Sequence, residues 1–382
     1  MKSENPSSHA TFTQDSVSIW GVPLIIAGCS ACEHAFLVPS LSTDMVCPNC
    51  AQASLNPQAA QLQSEPPELA VPFVIQTSQV SQKLIEFTQK PWLKPEDFKH
   101  ENLIARLQKV FLPMWLVDCQ ISGQWQGEAG FNYQVKSSQE FFQGGSWQSR
   151  DITKTRVRWE PRLGLLTRMY NNVAVPAMNG YTQFADRIGK YRLDQAQTYQ
   201  KDNLAEAVIR IPDLSPQNAW PIAQDNLKQI ALKDCQQAVS ADYLRNFSIS
   251  AEFNNPHWTQ LLLPLYFTWY RSDDGETIPI FIHGQSGNIS GARLASRQKG
   301  LRSAAIAAGI AVLLFLLTLI FAAAAALFPF LSIPALLFGF TAFFTLAFAL
   351  VPALYPWQWN RNQLSENMSL PSNQQKDAAM RE

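Results

Sequence analysis

Four cysteines fall in two Cys-x-x-Cys pairs within "GCSACEHAFLVPSLSTDMVCPNC", residues 28–50: Cys29 with Cys32, and Cys47 with Cys50. A two-residue spacer lets both thiolates of a tight turn reach one ion, and four soft thiolates make the tetrahedral shell that Zn2+ favours. The pattern is Cys-x2-Cys-x14-Cys-x2-Cys. Its middle gap is one residue under the usual lower bound of about 15. Pro48 and Asn49 suit a knuckle turn, and "HAFLVPSLSTDMV" reads as strand, turn and strand. These residues point to a zinc ribbon over 21–51 that holds one structural Zn2+ ion. Four thiolates already close the shell, so no position stays open for chemistry, and the neighbouring His34 is not needed as a ligand. Two disulfides would require an oxidising compartment. A redox Cys-x-x-Cys would require a βαβ setting, which the pattern lacks. Cys119 and Cys235 stand alone among apolar residues and read as core.

The compartment is argued from the other end of the chain. No charged residue occurs between Ser303 and Asn360. A helix crosses the hydrocarbon core in roughly 20 residues, so this run holds two spans. Pro329 and Pro334 flank a break at "FPFLSIP", which gives expected spans at 304–327 and 334–357. So short a link makes them a hairpin with both ends on one side. The preceding "HGQSGNISGARLASRQKGLR" carries Arg293, Arg297, Lys299 and Arg302 and no acid. The positive-inside rule then puts both termini in the cytoplasm, where thiols stay reduced. Tyr355, Trp357 and Trp359 read as an interfacial aromatic belt. The spans hold no ionisable residue, which argues for an anchor and against an ion path. Alanine-rich "FAAAAAL", Gly309 and Gly339 are candidates for close helix packing.

The 382 residues are enough for two or three domains. Lys+Arg 30 balance Asp+Glu 30, which gives no global pull toward nucleic acid. Residues 1–20 are polar and Ser-rich without a signal-length apolar core, and are expected to be a disordered leader. Residues 52–69, rich in Gln, Ala and Pro, read as a linker, and 361–382 as a polar tail. Between them, 70–298 reads as an α+β cytoplasmic body. "VPFVIQ" suits a short strand, "SQVSQKLIEFTQ" a helix capped by Ser78, and "PEDFKHENLIARLQ" another helical stretch. "KVFLPMWLVDCQISGQWQG", "TKTRVRWEP", "LRNFSISAEF", "WTQLLLPLYFTWYR" and "ETIPIFIHG" read as strands, the last two joined through the "SDDG" turn. "AWPIAQDNLKQIALKDCQQAV" is the best helix, opened by Pro221, with Leu227, Ile230, Ala231, Cys235 and Ala238 on one face. "VFLPMWLVDCQISGQWQGE" and "LLLPLYFTWYRSDDGETIP" echo each other. The echo fits either two related units or two similar strand starts. The fold class expected is thus multidomain: a small β zinc ribbon, an α+β body and a C-terminal transmembrane hairpin.

Other candidate sites carry less. Lys154, Arg156 and Arg158 alternate, so they share one face of a strand, followed by Arg162 and Arg168. Such a face suits phosphate, but a solvated strand surface explains it as well. "GQSGNISG" lacks the Lys-Ser/Thr of a P-loop and reads as a glycine turn between strands. His100, His257 and His283 are scattered, and Asp273 and Asp274 sit in turn chemistry. No nucleophile–base pair is legible, so the expectation is no enzyme. The ribbon has no Lys or Arg between Gly28 and Cys50, with Glu33 and Asp44 acidic, so nucleic acid is a disfavoured partner.

The ribbon, then "VPF", "FLPMWLVD", "TRVRWEP", "LLPLYFTWY" with "HGQSGNISG", and the membrane hairpin together resemble the bacterial membrane-anchored zinc-ribbon proteins. These are labelled by similarity to the ribbon of transcription factor B or of the primosomal helicase PriA. His283 stands where the family carries Asn before its Gly-Gln-Thr/Ser-Gly motif. The resemblance implies company with phage-shock-protein-A-like coat proteins and SPFH (flotillin-like) scaffolds, and a role in recruiting them to the membrane under envelope stress. The helicase label does not carry over, because the chain has no Walker A sequence. The function expected is a zinc-ribbon adaptor that tethers cytoplasmic proteins to the bilayer. The alternatives are a membrane-attached nucleic-acid binder and a lipid- or small-molecule-binding membrane protein.

Overall fold

Runs of β-branched and aromatic residues in the middle of the chain make three strands of 36, 31 and 29 residues, several times the usual length of about 5–6. The computed structural model describes residues 20–39, 45–58, 66–201 and 206–366. Most of the expected leader, residues 59–65 of the expected linker and residues 367–382 of the expected tail lie outside the described residues. The elements run β1 (Ile25–Cys29), β2 (Ala35–Val38), β3 (Leu55–Pro57), β4 (Leu69–Ala70), α1 (Thr77–Gln89) and α2 (His100–Ala105). Then come β5 (Gln108–Gln143), β6 (Ser146–Pro176), α3 (Tyr181–Ile188), β7 (Gln197–Thr198), β8 (Ala207–Arg210) and α4 (Pro216–Ala238). The last are β9 (Tyr243–Arg271), β10 (Thr277–His283), β11 (Ile289–Gly291), α5 (Arg297–Ala325) and α6 (Ser332–Glu366). The main strand order is β11-β10-β9-β5-β8-β2-β1-β3. This is a mixed, sheet-rich body with a cysteine cluster near its N-terminus and a pair of apolar helices at its C-terminus. The chain forms two compact units.

The first unit gathers Met1–Pro113, Asn179–Ile211 and Leu262–Glu382. In it β8 pairs parallel with β5 (Val110↔Val208) and antiparallel with β2 (Leu37↔Ile209), and β1 pairs with β2 and β3. The expected ribbon is therefore the edge of a larger sheet. The expected linker begins instead with a strand, β3. One apolar cluster holds Trp20, Leu24, Ile26, Leu37, Phe111, Ile209 and Leu262. A second packs Val80, Leu84 and Phe87 of α1 and Leu103 of α2 on Tyr266, Tyr270, Ile280 and Ile282. Gln76, not Ser78, caps α1. "VPFVIQ" lies just beyond β4 and docks through Val71 N–H on the Leu262 carbonyl. The "SDDG" turn forms as expected, with Gly275 at φ +82°. The "GQSGNISG" segment joins paired strands β10 and β11.

The second unit, Met114–Met178 with Pro212–Leu261, is built on the β5–β6 hairpin. Its register runs unbroken from Gln143↔Ser146 to Cys119↔Tyr170. Gly144 and Gly145 both have positive φ, +64° and +81°, as a two-residue hairpin turn matching strand twist requires. Asp242, just before β9, donates its N–H to the Gly130 carbonyl and accepts from Asn132 N–H, so β9 runs beside β5 from there, and the hairpin beyond Asn132 is a two-stranded ribbon. The helix α4 starts at Pro216 behind the Ser215 cap, five residues before the expected Pro221, which sits inside the helix. Ala219, Ala223, Leu227, Ala231 and Cys235 form its buried stripe over Val117, Ile121, Val175 and Ile249. Ile230 is 38% exposed instead. Its neighbour Ala231 takes the i+4 position after Leu227.

At the C-terminus α5 and α6 pack together within the first unit. Both are long and apolar enough to cross a membrane. α5 begins at Arg297, ahead of the expected 304, and stops at Ala325, just short of 327, whereas α6 runs from Ser332 to Glu366, past both bounds of the expected 334–357, because polar residues continue the helical bonding beyond the uncharged run. Ala335, Ala342, Ala349, Pro356 and Gln363 are buried at seven-residue spacing, a heptad seam that opens with three alanines. Gly339 faces Thr318 across it. Gly309 faces open space. Gly300 is the tight position, where a Cβ would come within 2.4 Å of the Pro352 carbonyl oxygen.

Candidate metal centre

The two Cys-x-x-Cys turns are built alike. Glu33 N–H bonds the Cys29 carbonyl at 2.9 Å, and Ala51 N–H bonds that of Cys47 at 3.0 Å. Each turn closes through a left-handed residue directly after its second cysteine, Glu33 at φ 60° and Ala51 at φ 57°. All four thiols are buried, and their sulfurs lie within 4.8 Å of one another. Cys29 Sγ is 3.6 Å from Cys50 Sγ, and Cys32 Sγ is 3.7 Å from Cys47 Sγ. Disulfides need about 2.05 Å, so all four are free. A tetrahedron with metal–sulfur bonds near 2.3 Å has edges of about 3.8 Å, which these distances match. Backbone N–H groups of Asn49 and Gln52 point at Cys47 Sγ and Cys50 Sγ, both at 3.4 Å. Such donors stabilise thiolate. The cluster can hold a metal ion.

The electrostatics favour a cation there. Hydrogen bonds from Cys47 and Cys50 hold the Cys32 thiol well below the ordinary range. The Cys32 sulfur in turn pushes Cys47 far up and Cys50 up to about 11, with burial adding to both. Four sulfurs so close cannot all ionise until positive charge joins them.

Behind the second turn stands a residue that sequence reading missed. Arg210, at the end of β8, is 1% exposed. Its Nη1 donates to Asn49 Oδ1 at 2.7 Å, and Asn49 N–H reaches Cys47 Sγ. The guanidinium thus braces the turn and brings positive charge to a thiolate-rich site. Nothing near the cysteines in sequence announces it, since sheet pairing Phe36↔Arg210 puts it there. His34 is also buried, with Nδ1 2.6 Å from the Cys32 carbonyl. It orients the first turn and is not one of the four clustered groups.

The remaining candidates scatter. Lys154, Arg156 and Arg158 are exposed on the β5–β6 hairpin, and Arg158 is already paired with Glu160 at 2.8 Å. Cys119 and Cys235 are buried in the second unit's core, and burial raises both thiols. His283 is buried, stacks on Tyr191 at 3.9 Å, and accepts at Nδ1 from the N–H groups of Gln285 and Ser286. Burial lowers its pKa, so it serves as a neutral turn anchor.

Of the basic flank, Arg297 and Arg302 are exposed and Lys299 is partly buried, while Arg293 is tied down. Its carbonyl accepts from Trp359 Nε1, and its N–H donates to Gln363 Oε1 at 3.2 Å. Asp273 accepts from Ser296 Oγ at 2.7 Å and Gln298 N–H at 3.1 Å, so it also fixes the start of α5. Trp92, which sequence reading passed over, donates its backbone N–H to Tyr355 Oη and meets that ring edge-on. Comparison with protein-family models, with curated proteins and with solved structures gives no match.

Proposed function

We propose that this chain is a zinc-stabilised adaptor that recruits soluble proteins to the bacterial inner membrane. The ion at Cys29, Cys32, Cys47 and Cys50 is Zn2+, held structurally: four buried thiolates leave it no free position. The apolar pair α5–α6 is the tether, with Arg293, Arg297, Lys299 and Arg302 keeping both ends in the cytoplasm. The observation that carries the reading is the two-stranded β5–β6 ribbon. It exposes Phe142 and Trp147 at its tip, 61% and 72% accessible. Aromatic groups offered this way on a rigid hairpin suit protein binding better than catalysis. The resemblance to membrane-anchored zinc-ribbon proteins favours phage-shock-protein-A-like coats or flotillin-like scaffolds as the partners.

The test is affinity purification of tagged full chain from detergent-solubilised membranes, with and without nuclease, read by mass spectrometry. The expected result is a nuclease-resistant set of coat-like or flotillin-like proteins that Phe142→Ser/Trp147→Ser removes. Recovery that collapses with nuclease supports the nucleic-acid reading and ends this one. An unchanged set from Cys47→Ser/Cys50→Ser shows that the ribbon is scaffold and not reader.

A further inference from the structure

Close to the start of α5, the first unit has a cleft of about 510 Å³. Lys83, Glu86 and Lys90 of α1, Arg187 of α3, Arg293 and the turn from Gly287 to Gly291 line it. Four cations thus face a single carboxylate. Lys83 and Lys90 stand seven residues apart, on one face of α1. Lys83, Lys90 and Arg293 make no ion pair among the described residues. The turn is shaped for close approach. At Gly287, with φ +70°, a Cβ would come within 2.4 Å of Ile75 Cδ1 and 2.8 Å of Lys83 Cε.

Arg293 gives the sharper sign. Its guanidinium lies over the Phe87 ring at 5.1 Å, and its Nε is buried with no hydrogen-bond partner among the described residues. Buried donors are nearly always met, so this one points to an acceptor that the protein does not supply. A guanidinium with flanking ammonium groups is the arrangement that matches phosphate oxygens. The place is also specific. The Arg293 backbone is bonded to Trp359 and Gln363 on the last turns of α6, and α5 begins four residues later. Helices that cross a bilayer put such residues at the headgroup layer, where anionic lipids present phosphate.

We propose that this cleft binds a phosphate-bearing anion, and that its position favours an acidic phospholipid headgroup over a soluble phosphate. The lipid source rests on the membrane reading above; the phosphate chemistry does not.

The full chain, metal-loaded and in neutral detergent, is offered phosphatidylglycerol or phosphatidylcholine in mixed micelles. In a separate arm it is offered glycerol phosphate without lipid. Bound species are counted by native mass spectrometry. The expected result is retention of phosphatidylglycerol over phosphatidylcholine by about tenfold. Lys83→Gln/Arg293→Gln should erase the preference, and Lys154→Gln/Arg156→Gln should leave it intact. Saturable glycerol phosphate binding that Lys83→Gln/Arg293→Gln removes, without lipid preference, keeps the phosphate site and assigns it a soluble ligand. Neither kind of binding, or binding indifferent to Lys83→Gln/Arg293→Gln, overturns the proposal. If that double variant fails to fold, Lys90→Gln, at an exposed position, gives a graded loss or refutes the site. Alkaline extraction of membranes tests the tether separately: release of the chain refutes the membrane reading and leaves the cleft result standing.

Discussion

Residues 25–57 and the second unit meet the same demand, extended strands that must be held in register, by different means. The first has three strands of three to five residues and four buried thiols. Its cysteines cluster at its turns, and only β2 joins it to β8, through the short register Phe36↔Arg210 and Leu37↔Ile209. The second has strands of about thirty residues, a continuous hairpin register and a 23-residue helix laid along one face. There, apolar area and repeated backbone bonds carry the stability. On the proposed reading, a short region takes its order from a bound ion, and a long one takes it from packing. Metal should therefore matter locally.

Metal removal is the strongest way to break that contrast. Stripping the ion, or Cys47→Ser/Cys50→Ser, forfeits metal-linked folding free energy on the order of 10 kcal/mol. Hydrogen exchange should show β1–β3 losing protection while α4 keeps its own. Equal loss in α4 would mean that the two regions share one stability. The converse probe is Leu227→Ala, at a fully buried position of α4. It should cost about 3 kcal/mol in chemical denaturation, with the metal content unchanged.

Arg210→Met sharpens the account of the metal region. It keeps apolar bulk but removes the brace on Asn49. Metal retention against a chelator should fall about 10- to 100-fold, as for other groups that orient metal ligands. A change under twofold would make Arg210 a mere filler of the sheet.

A smaller effect tests a third kind of fastening in the first unit. Asp97 accepts from Arg106 Nη1 at 2.6 Å and Nη2 at 2.9 Å, and from Arg271 N–H at 2.7 Å. Burial alone would raise its pKa, but the Arg106 guanidinium and the Arg271 N–H outweigh that and hold it below the ordinary carboxylate range. Its contribution is therefore present above the unfolded-state pKa, about 3.9. It fades as pH falls through the lower folded value. Asp97→Asn should cost about 1–2 kcal/mol near neutrality, given partial exposure, and should flatten this acid limb. An unaltered acid limb in Asp97→Asn would remove Asp97 from the account.

Local spacing alone announced several features. Two cysteines at i and i+3 can reach one ion from one turn, so the pairs at 29/32 and 47/50 were legible without partners. An uncharged run from 303 to 360 has few folds open to it but long apolar helices, and the Gly-bearing turns follow from φ. The start of α4 was misplaced because Pro216 and Pro221 both suit a first turn, and the Ser215 cap decides between them. Ile230 was misassigned because a helix stripe is set by what lies opposite it, and the sheet beneath selects Ala231.

The rest depends on residues far apart in the chain. Arg210 meets Asn49 across 161 positions through β2–β8 pairing, and Arg293 meets Trp359 and Gln363 through the packing of α5 on α6. Composition and spacing act over a few residues, so they determined the cysteine turns, the apolar helices and only pieces of the long strands, whose full extent comes from their pairing. Which charged groups stand behind the thiols, and which gather beside the start of α5, was decided only by tertiary structure. Strand order and helix packing bring those groups together, and neither leaves a local pattern.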